Sequence, residues 1–128
     1  MKSQRFGIEI EMTGLTRRSA ALIIAKHFDT GFRHERGVYD TYSVCDQDGR
    51  KWKIVRDASI TPQCGNRFDY DPDYKVEVVS PVCHYEDIGT IQSIVRELRR
   101  NGHAKVNESC GIHIHVDASK HTARSLRN

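Results

Sequence analysis

Apolar and polar positions alternate with a period of two in several stretches of this chain, and that period is the signature of a half-buried β-strand. In Phe6-Gly7-Ile8-Glu9-Ile10-Glu11-Met12, the apolar residues Phe6, Ile8, Ile10 and Met12 share one face and Glu9 and Glu11 the other. In Tyr74-Lys75-Val76-Glu77-Val78-Val79-Ser80-Pro81, Val76 and Val78 oppose Lys75, Glu77 and Val79, and Pro81 stops the run. In Cys110-Gly111-Ile112-His113-Ile114-His115-Val116-Asp117, Ile112, Ile114 and Val116 are expected to enter a core. His113, His115 and Asp117 then stand in a row on the other face, each about 7 Å from the next at strand rise.

Residues 39–45 and 51–55 read as two more strands, joined by a hairpin at the Asp48-Gly49 turn signal. In the second of them Trp52 and Ile54 share one face, while Lys51, Lys53, Val55 and Asp57 share the other. The period changes to that of a helix in two places. Thr16 is a suitable N-cap for a helix over residues 17–28, with an apolar side of Ala20, Leu22, Ile23, Ile24 and Phe28 and Gly31 as its terminator. A second helix opens at Glu86 or Asp87 and runs to about residue 101. Its positions Ile88, Ile91, Ile94, Val95 and Leu98 step by three and four, and Gly102 closes it. Residues 61–73, rich in Pro and Asp, read as a loop, residues 32–40 as a loop or the start of a strand, and residues 119–128 as the first turns of a further helix. The order strand, helix, several strands, helix, strand predicts an α+β fold. Its sheet is mainly antiparallel, its helices cover one face, and a concave acidic and imidazole face is left open.

A length of 128 residues suits one domain, residues 1–128. A hydrophobic fraction of 38% with 29% charged residues places it among globular chains. No apolar run approaches a membrane span, and the start has no apolar signal segment, so a cytoplasmic location without membrane association is expected. The four cysteines lack CxxC spacing and read as free thiols there. A net charge of +3, with basic residues scattered rather than clustered among aromatics, gives no nucleic-acid signature. Neither GxxxxGK[ST] nor GxGxxG occurs.

Chemistry concentrates on the polar strand faces. Gathered on one sheet face, Glu9, Glu11, Glu77, His113 and His115 would form a carboxylate-rich cation site. Mg²⁺ or Mn²⁺ would suit it, the imidazoles leaning toward Mn²⁺ or Zn²⁺. Plainer readings stand beside this one. Glutamates on an edge strand can simply face water. His27 suits a helix C-terminus. Cys110 with His113 and His115 offers zinc ligand types but lacks the second ligand pair of a structural site.

Four motifs in this order resemble the putative amidoligase family: Phe6-Gly7-Ile8-Glu9-Ile10-Glu11, Trp52 followed by Asp57-Ala58-Ser59, Val76-Glu77-Val78-Val79-Ser80-Pro81, and Cys110-Gly111-Ile112-His113-Ile114-His115-Val116. That family is a branch of the carboxylate–amine ligases that include glutamine synthetase and glutamate–cysteine ligase. The resemblance implies an incomplete glutamine synthetase-like catalytic domain and an ATP-dependent, amide-forming ligase acting through an acyl phosphate on an amino-acid or peptide substrate. By motif it implies Glu9, Glu11, Glu77 and His113 as metal ligands, with Glu77, His113 and Asp57 serving the reaction and His115 touching nucleotide phosphate. Lys53 and Arg56 are expected as phosphate or carboxylate contacts on charge grounds alone. The expected cofactors are ATP with Mg²⁺ or Mn²⁺, and the partners small-molecule or peptide carboxylates and amines; homo-oligomerisation is left open. Related ligases run on past the histidine strand, so the chain reads as an N-terminal portion. Two rival functions are a metal-dependent hydrolase built on His113 and His115, and a non-catalytic metal- or nucleotide-binding remnant.

Overall fold

The computed structural model describes residues 4–116. Asp117 and residues 119–128 lie outside the described residues. Six strands form one sheet: β1 (Phe6–Met12), β2 (Phe32–Arg36), β3 (Thr41–Cys45), β4 (Lys51–Val55), β7 (Val76–Val79) and β8 (Ile112–Val116), in the spatial order β2-β3-β4-β7-β1-β8. Every pairing is antiparallel. Two helices, α1 (Arg17–Phe28) and α2 (Ile88–Gly102), pack together on one side of the sheet. The α+β class and the mainly antiparallel sheet agree with the alternation. Residues 32–36 join as a strand, and the expected loop over 61–73 contains a short hairpin, β5 (Gln63–Cys64) with β6 (Arg67–Phe68), then a 3₁₀ turn at Pro72–Tyr74.

The core lies between the helices and the apolar strand faces. Ile10, Met12, Trp52, Ile54, Val76 and Val78 from the sheet meet Ala20, Ala21, Ile24, Phe28, Ile91, Ile94 and Leu98 from the helices. Thr16 caps α1, its hydroxyl oxygen accepting from the Ser19 N–H at 3.1 Å. Leu22, expected on the apolar side, is exposed, because the buried stripe runs through the small residues Ala20, Ala21 and Ala25 instead. Helix α1 ends at Asp29, in the left-handed region at φ 57°, two residues before the expected Gly31. Helix α2 ends in the same way at His103, φ 61°, and Gly102 is its last helical residue. A side chain at Gly102 would come within 2.7 Å of Ile23 and 2.9 Å of Leu15, so this glycine serves close packing between the helices.

One expectation fails outright. Ile112, Ile114 and Val116 are 63%, 62% and 45% exposed rather than buried. They do lie on the apolar side, opposite Ile10, Ile8 and Phe6 of β1. However, β8 is the sheet edge, and no described element covers it there. Alternation names a face; it does not say whether anything covers it.

Two guanidinium groups fix the turns around this core. Buried Arg17 donates to Asp40 at 2.7 Å and to the carbonyls of Pro72 and Lys75 at 2.7 and 3.0 Å. Arg50 donates to Asp46 at 3.0 Å and, through two bonds of 3.0 and 2.9 Å, to Asp87. Asp46 also accepts from the Trp52 indole N–H at 3.0 Å.

Candidate functional site

The sheet register builds the site. Opposite Glu9 stand His113 of β8 and Val79 of β7, and beyond Val79 come Lys53 and Ser43 in turn. One residue row away, Glu11 of β1 faces Glu77 of β7, which faces Val55 of β4. Paired residues on one sheet face are near neighbours across the strands. Antiparallel pairing thus brings Glu9, Glu11, Glu77 and His113, separated in sequence by more than a hundred positions at the extremes, onto one patch of the face opposite the helices.

Two groups of ligand atoms result. Glu9, Glu77 and His113 offer atoms all within 4.8 Å of one another, and so do Glu11, Asp57 and Glu77. Donors on opposite sides of an ion bound at 2.1 Å are about 4.2 Å apart, so each trio needs little side-chain rotation to close on a Mg²⁺- or Mn²⁺-sized cation. Oxygen-rich donors with one imidazole suit those ions. Glu77 belongs to both trios, so two cations held there would share a carboxylate.

Local structure aims each group. Glu9 Oε1 lies 3.5 Å from His113 Nδ1 and 3.4 Å from His115 Nε2. His115 therefore borders the site through Glu9, and the small Gly7 stands opposite it in register. Glu11 is buried, and its Oε1 accepts from the Gly111 backbone N–H at 2.8 Å. Asp57 follows β4, where its Oδ1 accepts from the Ser59 N–H and hydroxyl at 2.9 and 2.7 Å; this fixes the turn of the Asp57-Ala58-Ser59 motif.

Burial, then the nearby charges of Glu9, Asp57 and Glu11, push the Glu77 carboxyl up to about 7. A hydrogen bond between the carboxyl groups of Glu11 and Asp57, followed by burial, raises Glu11; the same bond lowers Asp57. The two neighbouring carboxyls are thus shifted in opposite directions. Among the described residues no lysine or arginine ion-pairs with Glu9, Glu11, Asp57 or Glu77.

Some candidates stand apart. Lys53 is in the Glu9 row but two strands away, about 10 Å at sheet spacing. Arg56 turns to the other side of Glu77, where its guanidinium donates to the Val38 carbonyl at 2.8 Å. Cys110 joins neither trio; its thiol lies 3.7 Å from the Asn107 side-chain oxygen. His27 bonds Glu97 of α2 at 2.6 Å, tying the helices together. Sequence reasoning missed the joining of Asp57 to Glu11, the Gly111 N–H that orients Glu11, and Tyr39, which borders a hollow beside Glu77. The aromatic residue at a Gly37–Asp40 turn was a visible signal for Tyr39, but nothing local pointed it toward the site.

A family model described as "Putative amidoligase enzyme" matches residues 2–128, nearly the whole chain. The chain belongs to that amidoligase family. Four motifs, spread along the sequence, are the segments that carry Glu9, Glu11, Asp57, Glu77, His113 and His115 to this part of the sheet. No curated protein and no solved structure matches the chain. No helix among the described residues is long and apolar enough to cross a membrane.

Proposed function

We propose that this amidoligase-family chain serves an ATP-dependent ligase that joins a carboxylate to an amine. The observation that carries this reading is the pair of trios sharing Glu77 on one open sheet face. Glu9, Glu77 and His113 would hold one divalent cation, and Glu11, Asp57 and Glu77 the other, Mg²⁺ or Mn²⁺ in both. Bound there, the ions would neutralise phosphate charge and polarise the transferring group. A sheet with helices on one side and carboxylates on the other supports a glutamine synthetase-type catalytic domain with a concave site.

In this mechanism an oxygen of the substrate carboxylate attacks the γ-phosphorus of ATP, the bond to ADP breaks, and an acyl phosphate forms. The amine nitrogen then attacks the acyl carbon, the C–N bond forms, and phosphate leaves with the C–O electron pair. Such chemistry depends mainly on positioning and charge stabilisation. Glu9 lies beside His113 and His115, and His115 borders the patch where phosphate oxygens would lie. The Gly111 N–H and the Ser59 turn fix Glu11 and Asp57, so the trios need little rearrangement.

A hydrolase using His113 and His115 gives the second trio no role, and it is the weaker reading. The test is calorimetry of Mn²⁺ and ATP on the chain and on Glu77→Gln and Glu11→Gln, with ADP release followed in mixtures of amino acids and amines. Mn²⁺-dependent ATP binding lost in Glu77→Gln, with ADP release that needs both substrates, is expected. ADP release indifferent to the amine, or Mn²⁺ binding unchanged in both variants, would overturn the proposal.

A further inference from the structure

On the far side of Glu77 from His115 lies an open hollow of about 500 Å³, lined by Tyr39, Val55, Arg56, Asp57, Ala58 and Glu77. Its wall is built rather than incidental. Tyr39 is 63% exposed, yet its backbone is held on both sides. The Tyr39 carbonyl accepts from the Arg56 N–H at 2.9 Å, the Val38 carbonyl accepts from the Arg56 guanidinium at 2.8 Å, and the next residue, Asp40, is gripped by buried Arg17 at 2.7 Å. The turn carries positive φ at Gly37 and Asp40, 82° and 46°. An exposed aromatic ring on a turn fixed at three points is a preorganised surface, which binds without the cost of ordering a loop.

The chemistry of the lining has two poles. Asp57 and Glu77 line its acidic side, which continues into the cation site, while Arg56 supplies a fixed positive charge whose guanidinium donates to the Val38 carbonyl at 2.8 Å. A zwitterion fits such a lining, its ammonium toward the acidic side and its carboxylate on the guanidinium. An ammonium ion, close to water in size, needs only about 30 Å³ and has no use for Arg56 or Tyr39.

We infer that this hollow seats the amine substrate, and that this substrate is an α-amino acid or the amino end of a peptide rather than ammonia, with Arg56 holding its carboxylate and Tyr39 setting side-chain preference. The inference rests on the ligase reading above. In the step it serves, the bound ammonium first loses a proton to solvent, and the free amine attacks the acyl phosphate. The C–N bond forms, the C–O bond to phosphate breaks, the nitrogen loses a second proton, and hydrogen phosphate leaves.

The test titrates the Mn²⁺-loaded chain with glycine, L-alanine and L-glutamate, and with ethylamine, acetate and ammonium chloride as probes of each half of the zwitterion. At least one amino acid should saturate the protein and bind tenfold or more tighter than any of the three half-probes. Arg56→Met should weaken that binding tenfold or more. Tyr39→Ala should alter the ranking among the amino acids, while Tyr39→Phe keeps it. Mn²⁺ affinity should stay within twofold in all of these variants, which also reports that they are folded. Equal binding of ethylamine, amino-acid binding untouched by Arg56→Met, or weakening of ATP rather than of amino acid by Tyr39→Ala would each overturn the inference while leaving the ligase reading intact. Failure of the unaltered chain to bind Mn²⁺ would overturn the ligase reading and this inference with it.

Discussion

The molecule treats its carboxylates in two opposite ways. At the turns, Asp40, Asp46 and Asp87 each receive a guanidinium, and all three are held below the ordinary carboxylate range. For Asp40 and Asp87 the bonds from Arg17 and Arg50 are the main cause; for Asp46, burial works against the shift and bonds from Trp52 and Arg50 overcome it. On the open sheet face, Glu77 and Glu11 have no such partner among the described residues and are pushed upward. Four acids crowded on one face, with no lysine or arginine ion pair among the described residues, cost stability at that spot. Strained sites of this kind are where function is expected.

The comparison can be broken most sharply at the turns. Arg17→Met leaves Asp40 and two carbonyls without their donor, and the loss of a buried ion-pair partner should cost about 3 to 5 kcal/mol in urea unfolding. Asp46→Asn should cost about 3 kcal/mol by the same argument and alter Trp52 fluorescence, because the indole N–H bonds that carboxylate. A loss under about 1 kcal/mol in both would mean that the guanidinium bonds are surface ornament and that the contrast has no energetic content.

Next comes the pH dependence. Glu77 has a folded pKa near 7 against 4.5 for the free side chain. Between those values the folded chain binds more protons than the unfolded one, so metal-free stability should fall as pH rises from about 4.5 to 7. The fall should be on the order of 3 kcal/mol at most. Asp40, Asp46 and Asp87 act with the opposite sign, adding stability above the unfolded pKa that is lost as pH falls through their folded values. Glu77→Gln should flatten the first slope and leave the second. Mn²⁺ at a hundredfold excess over its Kd should restore about 2.7 kcal/mol at pH 8, and chelation should remove it. Stability that rises from pH 5 to 7 without metal would contradict the crowding.

The smallest effect should come from Glu35→Gln. Glu35 lies 3.5 Å from Lys51 in a pair whose side chains are 32% and 49% exposed, so the change should stay below about 1 kcal/mol in the same unfolding assay.

Much of this was legible in the letters. Period-two alternation located β1, β4, β7 and β8, and the three-and-four step located α2, because each period is a direct consequence of backbone geometry. The capping hydroxyl of Thr16 fixed where α1 begins. Helix ends were less readable: Asp29 and His103 adopt the left-handed conformation that Gly31 and Gly102 were expected to supply. Side chains that hydrogen-bond locally, such as Asp, tolerate that conformation, so glycine is a preference and not a requirement.

Local pattern determined which residues share a face, and the motifs determined the family. Only the tertiary structure decided that Glu11 meets Asp57, that Glu77 sits between two ligand groups, and that Tyr39 walls a hollow beside them. It also decided that Ile112, Ile114 and Val116 stand on an edge strand that no described element covers. Alternation is written into neighbouring residues through the strand repeat, whereas strand order, register and coverage depend on contacts between distant segments, which no single stretch of sequence contains.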